Sequence, residues 1–96
     1  MLFIVQCEDA PGSPEKRKAT RAAHLEYLKS FGPAVFVAGP VLGNDGRTAG
    51  GSVIVIDVAD GAAAERFAAG DPYGKAGVFA SVRIAPWVLG VYNPRP

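Results

Sequence analysis

Two segments of the sequence carry the residue types that acid–base chemistry requires. His24 is the one histidine of the chain, and Asp71 opens the segment Asp71-Pro72-Tyr73 far downstream. An imidazole titrates near neutral pH and can move a proton, while a carboxylate can orient the ring and stabilise its charged form. If the fold brings these two side chains together, they form a candidate reaction centre.

Each of the two residues also has a purely structural interpretation. His24 falls on the apolar arc of a predicted helix, where a hydrogen-bonded core histidine is common. That arc also contains Leu25, Tyr27, Leu28 and Phe31. Asp71 follows Gly70 and precedes a proline, where aspartate often serves only a turn. Toward the N-terminus of the helix the same stripe becomes polar, which favours a wet cleft beside His24. The polar positions are Arg17, Thr20 and Arg21.

The elements that must position these residues follow from hydrophobic periodicity and turn residues. The pattern predicts strands at 2–7, 34–42, 51–58 and 78–88, and helices at about 13–31 and 60–69. Ser13 is expected to cap the first helix, and Gly70 the C-terminus of the second. The order β-α-β-β-α-β is typical of a ferredoxin-like α+β fold. In that fold a four-stranded antiparallel sheet carries both helices on one face.

The strands themselves predict a further feature of the sheet. Gly39-Pro40 should interrupt the second strand, and a proline within a sheet fits an edge position. Segments 3–5, 35–38 and 53–56 are apolar at every position, although the helices can cover only one face. The uncovered face would be an exposed apolar patch. We therefore expect a homodimer through the open sheet face, with an enclosed ligand pocket in the monomer as the weaker alternative.

Composition limits the classes of function. The 96 residues predict a single domain, 1–96, and 10 Lys and Arg against 9 Asp and Glu leave a net charge of +1. A net charge this small would not attract the phosphates of a nucleic acid, and no apolar run is long enough to span a membrane. The N-terminus does not resemble a signal peptide, and the single Cys7 cannot form an internal disulfide, so we expect a cytoplasmic protein. We expect no cofactor and no metal. A metal site from Cys7, Glu8, His24 and Asp71 is conceivable, but these positions lack a recognised ligand spacing.

Several short segments together resemble the YciI-like, YCII-related family. The matching pieces, in the family's order, are Glu15-Lys16-Arg17, Arg21-Ala22-Ala23-His24-Leu25, Ala38-Gly39-Pro40, Gly51-Ser52, Asp71-Pro72-Tyr73, Ala76-Gly77-Val78 and Ala85-Pro86-Trp87. The resemblance implies a ferredoxin-like fold assembled as a dimeric α+β barrel, with His24 and Asp71 at the family's proposed active site. Relatives include lyase- or isomerase-type enzymes of aromatic-compound breakdown. The sequence departs from the family in a short loop before Gly51, in Gly50 itself and in a long tail after Trp87.

The leading hypothesis is a small cofactor-free enzyme in which His24 is the general acid or base and Asp71 orients it. Arg21 would hold an anionic group of the substrate, and Ser52 and Tyr73 would donate hydrogen bonds to it. The substrate would be a small anionic metabolite, with aromatic-derived compounds among the candidates. The alternatives are a non-catalytic small-molecule-binding or dimeric assembly module, and a purely structural dimer.

Overall fold

A computed structural model describes residues 1–95, and its elements follow the predicted order. The strands are β1 (Leu2–Asp9), β2 (Val35–Leu42), β3 (Ala49–Asp57) and β4 (Phe79–Pro86). The helices are α1 (Ser13–Ser30), α2 (Gly61–Gly70) and α3 (Pro72–Lys75), and a 3-10 turn spans Gly32–Ala34. The β-α-β-β-α-β order is confirmed, with the four-residue helix α3 added before the last strand.

The four strands form one antiparallel sheet in the order β2-β3-β1-β4. Pro40 lies in the edge strand β2, as predicted, so its missing N–H costs no ladder bond inside the sheet. The expected interruption at Gly39-Pro40 is wrong, because the pairing with β3 continues through both residues. Two irregularities lie elsewhere: Phe36 is an extra residue between the paired positions Val35 and Val37, and Gly50 is an extra residue of β3 opposite Val41 and Leu42.

The core lies between one face of the sheet and the helices. Alternate residues of the two central strands, β1 and β3, point toward the core, and α2 packs against them on the helical side. These buried residues are Phe3, Val5, Cys7, Ile54, Ile56, Ala64 and Phe67. Because fully burying one large apolar side chain contributes about 1.5–3 kcal/mol, this cluster fixes the register of the central strands and the position of α2.

The start of α1 differs from the expectation in a way that matters for the site. Gly12, not Ser13, is the N-cap, and its φ of 79° lies in the left-handed region that favours glycine. Ser13 is the first helical residue and is fully buried, and its hydroxyl contacts the carbonyl oxygens of Ala10 and Val78. This residue therefore ties the start of α1 to the segment that enters β4.

The inward face of α1 holds His24, which is buried, and the partly buried Tyr27, Leu28 and Phe31. The predicted arc is thus confirmed for these positions, whereas Leu25 is 37% exposed and lies at the edge of the face. Tyr27 and Phe31 pack with Phe67 of α2, with ring centroids 4.9–5.6 Å apart. This aromatic cluster fixes the C-terminal half of α1 against α2.

The elements on either side of Asp71 have bounds that differ from the predicted ones. Gly70 is the last residue of α2 and Asp71 is its C-cap, so the expected glycine cap is displaced by one position. A side chain at Gly70 would overlap the Tyr27 hydroxyl, which explains the glycine there. β4 ends at Pro86 rather than at residue 88, although the Trp87 N–H still donates to the Leu2 carbonyl oxygen.

The face of the sheet opposite the helices is apolar on its β2 side. Val37 and Val41 are 48% and 49% exposed there. On the β1 and β4 side the same face is mixed, with Gln6, Glu8 and Arg83 exposed and the pair Ile4–Ala85 beside them. None of the helices formed by residues 1–95 is long and apolar enough to cross a membrane.

Candidate active site

The fold brings His24 and Asp71 into direct contact. His24 Nδ1 lies 2.8 Å from Asp71 Oδ1, although the two residues are 47 positions apart in the sequence. When Asp71 is ionised its carboxylate can only accept, so Nδ1 is then the nitrogen that carries a proton, and Nε2 is the nitrogen that a neutral ring leaves unprotonated. Asp71 Oδ1 also accepts the Tyr73 N–H at 3.0 Å, which caps α3. The turn interpretation of Asp71 and the His24-binding interpretation are therefore both correct.

The second ring nitrogen of His24, Nε2, is not held by Asp71. Nε2 has no hydrogen-bond partner within residues 1–95, and no buried side-chain nitrogen in that range lacks one. Nε2 must therefore be accessible, even though the residue as a whole is only 8% exposed. A histidine held at Nδ1 by a carboxylate and open at Nε2 has the geometry of a general acid or base.

The Tyr73 ring fixes the plane of the imidazole. The two rings stack with centroids 3.8 Å apart and planes inclined by 10°. The guanidinium carbon of Arg17 lies 5.0 Å from the Tyr73 ring centroid. Arg17 and His24 are seven residues apart, which places them two turns apart on one side of α1. Tyr73 therefore inserts its ring between the two side chains and contacts both.

Arg17 is the centre of a second polar network. Its Nε and an NH2 nitrogen bind both carboxylate oxygens of Asp9, at 2.7 and 2.9 Å. The same NH2 nitrogen lies 2.8 Å from the carbonyl oxygen of Gly51 and 2.8 Å from Ser52 Oγ. The pair with Asp9 raises the pKa of Arg17, and the two side chains are only 11% and 5% exposed. This bidentate pair fastens α1 to the ends of β1 and β3.

The site opens into a cleft of about 630 Å³ between α1 and the β2–β3 hairpin. Its α1 wall includes Arg17, Lys18, Arg21, His24 and Leu25, with Tyr73 beside them. Its opposite wall includes Pro40, Leu42, Arg47, Thr48 and Ser52. Four of the lining residues are cations and none is an Asp or Glu, and of the four only Arg17 is paired with a carboxylate, that of Asp9. The electrostatics of the cleft therefore favour an anionic ligand.

All three residues that the sequence predicted to bind substrate lie at this cleft. Arg21 is exposed on its α1 wall and has no hydrogen-bond partner within residues 1–95. Ser52 is buried, and because its Oγ accepts from Arg17, its own proton is available for donation. Tyr73 is 3% exposed and contacts the cleft mainly through its ring. Their roles toward a substrate remain predictions.

Sequence reasoning missed the central place of Arg17 and did not single out Lys18 or Arg47. A signal for Arg17 was present, since it lies on the helical stripe of His24, and Asp9 ends the first strand next to the helix start, but nothing in the sequence paired the two residues. The conceivable metal set is wrong as a cluster, because Glu8 is exposed and its alternation in β1 directs it to the opposite face. Within residues 1–95, no three His, Cys, Asp or Glu side chains lie together as a potential metal site.

Cys7 lies in the core beneath the site. Burial, together with the negative charges of Asp71 and Asp9, raises the pKa of its thiol to about 12, against the lowering effect of Arg17. Burial also raises the pKa of Tyr27, and Asp71 adds to that effect. The Cys7 thiol is therefore protonated at neutral pH and is a packing group rather than a nucleophile.

Comparison with known proteins shows to which family the chain belongs. A model of the YCII-related domain matches residues 1–88. This chain belongs to the YCII-related family. The resemblance seen in the sequence is confirmed. The YCII-related chain is 35% identical to the protein YciI of Escherichia coli over 94 residues, which cover 91% of this chain and 96% of that relative. An uncharacterised protein of Haemophilus influenzae shows the same identity and coverage.

A solved structure matches the YCII-related chain along nearly its whole length. It is a 5-chloro-2-hydroxyhydroquinone dehydrochlorinase from Burkholderia phenoliruptrix, in complex with 2,5-dihydroxybenzoquinone. The TM-score is 0.84 at 33% sequence identity, and the match covers 94% of this chain and 96% of that one. The comparison confirms the α+β ferredoxin-like fold and shows that a protein of this fold binds a small oxygenated ring.

Proposed function

We propose that this protein is a small cofactor-free enzyme that moves protons on a small anionic, oxygenated substrate. The observation that carries the proposal is the His24–Asp71 pair, in which Nδ1 is held by a buried carboxylate and the histidine lines a cationic cleft. A histidine in this state accepts a proton at Nε2, and the carboxylate stabilises the imidazolium that results.

Each group in the cleft has a defined part in such a reaction. His24 Nε2 takes a proton from the substrate, and the electron pair of the broken bond forms a new double bond. In an elimination an anionic leaving group then departs, and in an isomerisation the proton returns to another atom. Arg21 stabilises the negative charge that develops on a substrate oxygen, and Ser52 donates a hydrogen bond to it. Tyr73 acts through the imidazole that it stacks on.

The structural relative indicates which substrates to test first. Its substrate and its bound ligand are both hydroxylated six-membered rings with acidic oxygens. Such a ring fits a cleft with four cations and no carboxylate. We therefore propose a hydroxylated, ring-shaped anion as the substrate class, and proton transfer or elimination as the reaction class.

The test is chloride release from 5-chloro-2-hydroxyhydroquinone, with thermal shift by 2,5-dihydroxybenzoquinone measured in parallel. The wild type should release chloride faster than buffer, His24→Ala should not, and Asp71→Asn should be about 10²–10⁴-fold slower. Arg66→Gln, an exposed change on α2 outside the cleft, serves as the control and should match the wild type. Turnover that survives in His24→Ala would refute the proposal. A ligand that stabilises the protein without any turnover would favour the non-catalytic binding module instead.

We also propose that the chain forms a homodimer through the open sheet face, and that it works in the cytoplasm. Val37 and Val41 are the exposed apolar groups on that face, and a second copy would cover them. Sedimentation of the wild type should give twice the chain mass, and Val41→Lys should give a monomer. A wild type that sediments as a monomer at micromolar concentration would contradict the proposal.

A further inference from the structure

The cations of the cleft lie on two separate walls. Arg21 and Lys18 belong to α1, beside His24, whereas Arg47 belongs to the hairpin that joins β2 and β3. No side chain within residues 1–95 forms an ion pair or hydrogen bond with the guanidinium of Arg47. A cation that lines a cleft and has no protein partner is available to an anionic ligand.

The hairpin holds Arg47 at a defined place. The Asp45 carboxylate accepts the backbone N–H groups of Arg47 and Thr48, each at 2.9 Å, and the Thr48 hydroxyl at 2.6 Å. The Gly43 N–H donates to the Thr48 carbonyl oxygen at 2.9 Å and closes the turn. The hydrogen bonds from Thr48, with that from Arg47, lower the pKa of Asp45 to about 2. Asp45 therefore stays ionised and orders the hairpin backbone, and within residues 1–95 it forms no ion pair with the Arg47 guanidinium.

We propose that Arg47 forms a second anion-binding subsite, opposite the one at Arg21 and His24. The ligand would then carry two acidic groups, one at the reacting end beside His24 and one, such as a carboxylate, at the hairpin end. This inference rests on the proposed function and names its substrate class more closely. The competing arrangement is a single anion site shared by all the cations of the cleft. One shared site and two separate subsites predict different affinities for ligands with one and with two negative charges.

The probes are benzoate, with one carboxylate, and the three benzenedicarboxylates, with two carboxylates at increasing separation. Titration calorimetry compares the wild type, Arg47→Gln and the control Arg66→Gln. In the wild type at low salt, at least one dicarboxylate should bind about five- to tenfold more tightly than benzoate, since a charged group in a partly exposed site gains a modest charge-assisted contact. Arg47→Gln should abolish this preference and change the benzoate affinity less than about twofold, whereas Arg66→Gln should keep the preference.

Three results would overturn the inference. Arg47→Gln could weaken benzoate and the dicarboxylates equally, which would mean one shared anion site. It could leave the preference intact, or the wild type could show no preference for any dicarboxylate. All of these are binding results, so they are distinct from failure of the proposed function, which is a loss of His24-dependent turnover. A preference that depends on Arg47 in a protein without turnover would support the subsite and reject the enzyme.

Discussion

Replacing Gly51 with alanine should destabilise the protein strongly, because its place in the sheet leaves no room for a side chain. Gly51 is buried in β3, opposite Glu8 of β1, and an added Cβ would overlap the carbonyl oxygen of Cys7. That oxygen belongs to the backbone of a central strand and cannot rotate away. Overpacking in a core costs about 1–3 kcal/mol, and a backbone obstacle places Gly51→Ala at the upper end, about 3 kcal/mol. For a domain of this size, that loss lowers Tm by roughly 12–24 °C.

The neighbouring glycine provides a matched control. Gly50 is exposed, and no atom lies within 4 Å of the position that its Cβ would take. Gly50→Ala should therefore leave the free energy of unfolding within about 1 kcal/mol of the wild type, since the only expected effect is on the entropy of the unfolded chain. Urea unfolding of both variants, with equal m-values, measures the difference. The packing argument fails if the two variants have the same midpoint, or if Gly51→Ala loses less than about 0.5 kcal/mol.

Three further predictions concern the groups around the site. The Tyr73 ring, stacked on His24, should shift the NMR signals of the His24 ring protons upfield. Tyr73→Phe should keep this shift, and Tyr73→Leu should remove it. An unchanged shift in Tyr73→Leu would contradict the stacked geometry. Because the folded-state pKa of Cys7 is raised to about 12, its contribution to stability is complete below the thiol pKa of the unfolded chain, near 9, and is lost between about pH 9 and 12. The free energy of unfolding should fall there by about 1.4 kcal/mol per pH unit at most, and Cys7→Ala should flatten that decline in alkaline urea titrations. Arg17→Met should lower the free energy of unfolding by about 3–5 kcal/mol, because it leaves the Asp9 carboxylate buried without a partner. Asp9→Asn in the same chain should restore part of that loss. A double variant no more stable than Arg17→Met would contradict the pairing.

The architecture could be predicted from the sequence because its signals are local and mutually consistent. The apolar runs of the strands, the helical stripe around His24 and the edge position of Pro40 all depend on spacing alone. The cap of α1 was predicted wrongly for a physical reason. Ser13 has the usual cap chemistry, but Gly12 can take the left-handed conformation, and this frees the serine hydroxyl for contacts with the backbone near β4.

The site could be predicted only in part, because its contacts join residues that are distant in the chain. His24 and Asp71 are unusual residue types at positions where the topology brings α1 and the end of α2 together, so their meeting could be anticipated. The pairing of Arg17 with Asp9 could not be anticipated. An aspartate at the end of a strand is common, and the orientation of Asp9 depends on a register shift between Glu8 and Asp9 in β1. Arg47 likewise follows an ordinary turn sequence, and only the folded hairpin places it at the cleft.

The protonation state of His24 tests the central claim most directly, and the chain has one histidine, so its nitrogen signals are unambiguous. Two-bond proton–nitrogen correlation NMR on protein with 15N-labelled histidine shows which ring nitrogen carries the proton. The spectra are recorded at a pH high enough for the ring to be neutral. Proton attachment at Nδ1, with Nε2 unprotonated and shifted when 2,5-dihydroxybenzoquinone is added, is the predicted result. A neutral ring protonated at Nε2, or a ring that does not respond to the ligand, would contradict the arrangement in which Asp71 holds Nδ1 and Nε2 faces the substrate.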